Sequence, residues 1–361
     1  MTASVDDSAV TQVQERIRAA AADGRPLRIH GGGTKDFYGE SLAGDALDVR
    51  AIRGIVAYAP GELVVTARGG TPLAEIEDAL AAEGQMLAFE PPRHGPDATL
   101  GGVVAAGLSG PRRPHAGAVR DFVLGTRIVD GTGTSLAFGG QVIKNVAGFD
   151  VSRLMTGALG TLGVLTEISL KCLPRPKVET TRVIECAGAE ALRLMNEWRG
   201  RPMPISATCF HEGRLSVRLS GAPAAVAGAA SIVGGNEVDG TAFWRALRDQ
   251  TLECFGPAVE GDAALWRLSV RPTAPWTPWS ADVIVEWSGA LRWLVCSTPL
   301  AAETVRAWAA ENGGHATLFR GPKSGTTFHP LPAPMLALHE RLKQVFDPHR
   351  ILNRGRLYAD L

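Results

Sequence analysis

Three glycine clusters in the first half of the chain constrain its fold more than any other feature. They are Gly31-Gly32-Gly33-Thr34-Lys35, Asp97-Ala98-Thr99-Leu100-Gly101-Gly102, and Gly157-Ala158-Leu159-Gly160-Thr161-Leu162-Gly163-Val164. Backbone without a Cβ can approach another group closely or turn sharply. The first cluster follows a short strand and offers successive N–H groups suited to a pyrophosphate, with a hydroxyl from Thr34 and a charge from Lys35. The second opens a helix whose first N–H groups would face an anion, and Ala105, Ala106 and Gly107 leave room for a planar ligand. The third ends in a strand. Each alone is equally a tight turn or a closely packed Ala/Gly helix; three in one domain make a constellation. Neither GxGxxG nor GxxxxGK[ST] occurs at these places, which disfavours a Rossmann dinucleotide site and a P-loop.

Composition removes other classes. Lys+Arg and Asp+Glu both number 37, so no global positive field exists for a nucleic acid. Glycine reaches 42 of 361 residues without a three-residue period, which excludes collagen. The five cysteines are scattered and read as reduced thiols of a cytoplasmic protein, with no CxxC pair for a metal or iron–sulfur centre. No two of the eight histidines are three or four residues apart, so no local metal motif is expected. The N-terminus has no apolar signal core, and no apolar run is long enough to span a bilayer.

Periodicity predicts a helix over 8–22, strands over 26–30, 46–49 and 63–67, and a helix capped by Thr71 with Pro72 in its first turn. Strands at 123–129 and 135–138 flank the turn Asp130-Gly131-Thr132-Gly133; a helix over 151–158 and a strand over 164–173 follow. Pro174-Arg175-Pro176 reads as a domain boundary. Beyond it, strands and helices alternate, all eight tryptophans appear, and a last helix covers 335–345.

The order Gly31–Thr34, Pro96–Gly102, Arg120-Asp121 with Val123-Leu124-Gly125, and Gly160–Glu167 resembles the FAD-binding domain of the vanillyl-alcohol-oxidase and p-cresol-methylhydroxylase (PCMH) type. Ser109–Pro114, Lys144–Asp150 and Ser152–Met155 are similar to segments of the FAD-binding E subunits of bacterial glycolate oxidases. The tail Phe346-Asp347-Pro348 through Arg356 resembles the family's closing segment, with Arg354 where a proline is usual. The resemblance implies an α+β fold: a two-subdomain PCMH-type FAD-binding domain over 1–177, an α/β cap over 178–334, and a segment 335–361 returning to the FAD domain. It further implies that FAD is held by Gly31, Gly32, Gly33, Thr34, Lys35, Asp97, Thr99, Leu100, Gly101, Gly102, Arg120, Asp121, Gly163 and Val164. The family's covalent flavin histidine often stands where Thr34 stands, so the FAD is expected to be non-covalent; His30 reads as a strand-end residue.

The implied activity is oxidation of glycolate, a small 2-hydroxy acid, to glyoxylate. The implied partners are a larger FAD-containing glycolate oxidase subunit and an iron–sulfur subunit that carries electrons away, with peripheral placement at the inner membrane through those partners left open. The clustered metal-binding histidines of full-length 2-hydroxy-acid dehydrogenases are missing. A catalytically silent, FAD-stabilised assembly subunit and a stand-alone oxidoreductase of another 2-hydroxy acid therefore stay open. Lys144 and Asn145 are the catalytic candidates, against solvated loop residues. Arg112-Arg113 could clamp a carboxylate or anchor a partner, against an exposed basic loop. Trp276 and Trp279 could dock a partner or lie in the core.

Overall fold

The computed structural model describes residues 8–140, 150–322, 325–359 and 361. Its N-terminal half is built on a five-stranded antiparallel sheet in the order Ile55–Ala59, Val64–Arg68, Val164–Lys171, Val123–Val129, Ser135–Gly139. Val164–Lys171 lies at its centre and is buried along most of its length, as its apolar run requires. The edge strand Ile55–Ala59 has no alternation because it is half exposed, so it carries no strand signal in the sequence.

One face of this sheet is covered by helices Leu73–Ala82 and Leu100–Ala106. Leu73, Ile76 and Leu80 recur at helical spacing and are fully buried beside Leu100, Val103, Val104, Ile168 and Leu170. Each such side chain contributes about 1.5–3 kcal/mol by leaving water. Thr71 does not cap the first of these helices. Its hydroxyl accepts from the Gly54 N–H at 2.9 Å and donates to the Gly54 carbonyl at 3.2 Å, tying the helix start to the preceding loop. The helix predicted over 151–158 is a single turn, Val151–Leu154, because Gly157 and Gly160 take positive φ and bend the chain away.

A smaller subdomain pairs Leu27–His30 with Asp45–Asp48 in parallel and packs them under helix Ser8–Asp23. The C-terminal tail joins it. Leu27 bridges Leu352, and the Leu27 N–H donates to the Ile351 carbonyl at 2.7 Å. The tail is pinned by a wholly buried ion pair, Lys343 to Asp347 at 2.8 Å. The Lys343 ammonium also donates to the carbonyls of Thr161 and Leu352, and Asp347 accepts from the Ile351 and Leu352 N–H groups. Every charge in this pair is thus hydrogen-bonded, which is what makes its burial tolerable.

From Val178 the chain builds an eight-stranded sheet, antiparallel throughout, in the order Asn236–Val238, Val178–Glu185, Arg214–Gly221, Ile205–His211, Asp282–Glu286, Leu291–Cys296, Ala264–Ser269, His315–Arg320. Helices Gly188–Arg199, Pro223–Val233 and Ala302–Glu311 cover its outer face. Its inner face packs Ala207, Trp293 and Phe319 against Tyr38, Ala106, Leu108 and Leu159 of the N-terminal half. Helix Thr241–Asp249, absent from the sequence reading, seals one end with Trp244 and Leu247. No helix among the described residues is long and apolar enough to cross a membrane.

Candidate cofactor cleft

The turns at the ends of these strands meet around one cleft. Gly31–Lys35 forms one wall; Gly69, Thr99, Gly101 and Gly102 form a second; Gly160, Gly163 and Val164 form a third; Asn353 and Arg356 of the tail close it. Residues more than 300 positions apart in sequence are held there by specific bonds. Asn353 accepts from the Ile29 N–H at 2.7 Å and donates to the Leu159 carbonyl at 2.6 Å. Arg356 donates to the Asp36 carbonyl at 2.8 Å and to the Glu40 carbonyl, fixing the loop that follows the first cluster.

The two glycine-rich loops do different work. The backbone N–H groups of Gly31, Gly32, Gly33 and Thr34 have no partner among the described residues, so they remain available to an anion. A Cβ at Gly32 would overlap the Asp97 carbonyl oxygen, so the first two clusters are pressed together. At the second cluster the expected free donors are already used. The Leu100 N–H bonds to the Thr71 carbonyl at 2.9 Å, Gly101 N–H to the Gly69 carbonyl at 2.7 Å, and Gly102 N–H to the Thr99 hydroxyl at 3.3 Å. Thr99 is therefore the N-cap, and the glycines serve close approach rather than anion binding. A Cβ on Gly101 would come within 2.9 Å of the Gly69 oxygen.

The sequence candidates divide accordingly. Gly31, Gly32, Gly33, Thr34, Lys35, Thr99, Gly101, Gly102, Gly163 and Val164 line the cleft. Asp97 stands behind Gly32 without lining it. Leu100 turns its side chain into the core, 1% exposed, and its N–H is spent, so it offers the cofactor nothing. Arg120 and Asp121 lie outside the cleft. Asp121 accepts from the Ala118 N–H at 2.8 Å, and Arg120 is exposed. Lys144 and Asn145 lie outside the described residues. Sequence reading missed Gly69, Asn353 and Arg356 as cleft residues; the resemblance of the tail was the available signal.

Lys35 follows the loop of free N–H groups and lines the same cleft, and burial pushes it down to about 8 against the opposing pull of Asp249. It donates to the Arg93 carbonyl at 3.3 Å.

Arg112 is neither a carboxylate clamp nor a docking residue. It is 8% exposed and pairs with Glu90 at 3.4 Å and Glu179 at 2.7 Å. Arg218 reaches the same two carboxylates, with Glu90 at 2.9 Å, so four charges lock the cap to the N-terminal half. Trp279 packs edge-on to Trp308 in the cap core, and Trp276 lies edge-on to Phe210 and over Gly188. Trp279 is thus packed within the cap, whereas Trp276 stays partly on the surface, 36% exposed.

Comparison with known proteins accounts for this arrangement. Residues 8–139 match the FAD binding domain family. Over 347 residues the chain is 48% identical to glycolate oxidase subunit GlcE of Escherichia coli (strain K12), covering 96% of this chain and 97% of that one. The chain belongs to the GlcE family. Shorter matches reach D-lactate dehydrogenase [cytochrome] 1 of Saccharomyces cerevisiae, 28% identical over 48% of this chain and 30% of that protein. They also reach glycolate oxidase subunit GlcD of Bacillus subtilis, 36% identical over 28% of this chain and 22% of that protein. The solved structure of alkyldihydroxyacetonephosphate synthase superposes with a TM-score of 0.66 at 16% identity, covering 95% of this chain and 74% of that one, and shares the fold.

The GlcE-family chain is an FAD-dependent oxidoreductase with a PCMH-type FAD-binding fold. The names GlcE and GlcD mark subunits of a multi-subunit glycolate oxidase. The residues present fit FAD: a loop of unpartnered N–H groups with a lysine for the phosphates, and a glycine-walled slot beside it for the rings.

Proposed function

We propose that this chain is the FAD-carrying subunit of a glycolate oxidase complex that oxidises glycolate to glyoxylate and passes electrons to an iron–sulfur partner. The full-length similarity to GlcE carries this reading. FAD, when bound, supplies a two-electron acceptor that can release electrons singly. The chain's own residues bind and orient it: the N–H groups of Gly32, Gly33 and Thr34 and the Lys35 ammonium toward the pyrophosphate, and Gly101 and Gly102 against the rings. Asn353 and Arg356 hold the first loop in position. A larger FAD-containing subunit completes the complex, in the cytoplasm and, through partners, at the inner membrane surface. The division at 1–177, 178–334 and 335–361 is part of this proposal, and the change of sheet between Lys171 and Val178 supports it.

The cofactor is expected to be held without a covalent bond, since Thr34 stands in the first loop; the His30 ring lies beside Gly33 and is the one to check. Acid precipitation should leave the flavin in the supernatant; flavin in the pellet contradicts this. The function itself is tested by dye reduction with glycolate, using the chain alone and then co-expressed with its partners. Turnover in the complex supports the proposal, and a complex that retains flavin without reducing dye refutes it.

A further inference from the structure

A second cluster lies where the cap's inner face meets the N-terminal half. Trp287 and Ser288 both take positive φ, 53° and 54°, followed by Gly289 at 95°. Two consecutive side-chain-bearing residues in the left-handed region cost of order 1–3 kcal/mol each and persist only where the surroundings hold them. Here the strained turn delivers the Trp287 indole to the joint between the two halves, where its N–H donates to the Gly110 carbonyl at 3.1 Å. Two guanidiniums pack against that indole: Arg113 at 4.4 Å from the ring centre and Arg267 at 5.2 Å. Neither arginine makes an ion pair or side-chain hydrogen bond with any described residue, unlike Arg112 and Arg218 a short way off.

The surroundings offset these charges only in part: Asp121 acts on Arg113 from the same cavity, and Tyr38 and Glu286 act on Arg267, none of them close enough to form an ion pair. His315 is held below its ordinary range by burial and then by Arg267, His329 and Arg113, so it too senses a positive field. Of the carboxyls in reach, Asp121 accepts from the Ala118 N–H at 2.8 Å, and Glu286 accepts from the Trp293 N–H at 2.7 Å and is pushed up to about 7 by burial. Arg113, Trp287 and Ser288 border a cavity of about 490 Å³ between the halves. Leu159 and Ala106, which line the cofactor cleft, belong to the same packed cluster as Trp287 and Trp293. Two half-buried guanidiniums that form no ion pair, packed on one strained tryptophan, offer charge to a planar anion.

We infer that Arg113 and Arg267, held by Trp287, form the subsite for the carboxylate of the 2-hydroxy acid. The inference rests on the proposed glycolate chemistry and adds to it that this subunit itself holds substrate. A silent assembly subunit has no use for such a site.

The test uses the FAD-loaded chain and oxalate, a carboxylate that cannot be oxidised by hydride loss from a carbinol carbon. Calorimetric titration should show oxalate binding, weakened at least tenfold in Arg113→Gln and in Arg267→Gln, with flavin content and thermal midpoint unchanged. Arg267→Lys should recover part of the affinity, because it restores charge without the planar fork. In the complex, the same variants should raise KM for glycolate more than they lower kcat. Absence of oxalate binding to the flavin-loaded wild type, or unchanged affinity in both Gln variants, overturns the inference. A wild-type complex that oxidises glycolate while both variants keep KM refutes the subsite and leaves the proposed function standing. Failure of the wild-type complex refutes the function.

Discussion

Gly102 offers the sharpest separation of cofactor binding from folding. It sits in the first turn of helix Leu100–Ala106, with the cleft on its open side. A Cβ there meets one atom within 4 Å, the Thr99 hydroxyl at 3.3 Å, which caps this helix and has to give by a few tenths of an ångström. Glycine costs about 0.8–1.0 kcal/mol in a helix against at most about 0.7 for valine, so the few tenths of a kcal/mol gained in propensity offset that adjustment and the empty protein should change little. The valine methyl groups, however, enter the space proposed for FAD. Forcing such groups into a packed contact costs about 1–3 kcal/mol, and at ~1.4 kcal/mol per tenfold the FAD affinity should fall roughly 5- to 150-fold. The assay pairs an apoprotein melt with a fluorescence titration by FAD. A melting midpoint near that of the wild type with weakened FAD binding is expected. Unchanged FAD affinity would remove the second glycine cluster from the site. Gly101→Ala is the contrasting control: its Cβ meets Gly69 backbone, so it should damage the fold.

Three further outcomes follow from the charges. Lys35 loses its proton near pH 8, so its attraction for the pyrophosphate is present below that pH and fades as pH rises through it. FAD affinity should drop about tenfold between pH ~7 and ~9.5, a charge-assisted bond contributing about 1.5–3 kcal/mol, and Lys35→Met should flatten the dependence; a Met variant with wild-type affinity refutes the role. Glu286 has a raised folded value, so the stability it contributes is full below its ordinary 4.5 and is lost as pH rises through about 7. At ~1.4 kcal/mol per pKa unit, Glu286→Gln, which keeps the Trp293 acceptor, should stabilise by about 3 kcal/mol above pH ~8 and hardly at all below pH ~4. Equal effects at both ends in urea melts would contradict this. Arg112→Ala strips Glu90 and Glu179 of one of two shared arginines and should cost about 3 kcal/mol, whereas Arg113→Ala should leave the melting midpoint nearly unchanged; the reverse order would show that the lock has been misplaced.

The glycine clusters were legible because their signal is local: unusual residues, adjacent in sequence, at the ends of apolar runs. What those glycines do was less legible. The donors at Leu100, Gly101 and Gly102 look free from the sequence, but Thr71, Gly69 and Thr99 take them once the loops fold together. Gly69, Asn353 and Arg356 enter the cleft from far along the chain, and no local pattern announces them. Arg112 and Arg113 illustrate the limit best. They are adjacent and chemically identical, yet one is consumed by Glu90 and Glu179 while the other stands over Trp287. Glu179 and Trp287 are many residues away, so only the packed structure tells the two arginines apart. The strained turn at Trp287 has no sequence signature, since tryptophan and serine are not residues that favour positive φ.

The most direct test of the account is anaerobic addition of glycolate to the complex purified with this chain in wild-type and Gly102→Val form, following flavin absorbance. The account predicts bleaching in the wild-type complex, with a fraction that disappears when the variant no longer holds its flavin. Wild-type flavin that stays fully oxidised, or bleaching of the same amplitude in a Gly102→Val complex shown to lack this chain's FAD, would contradict it.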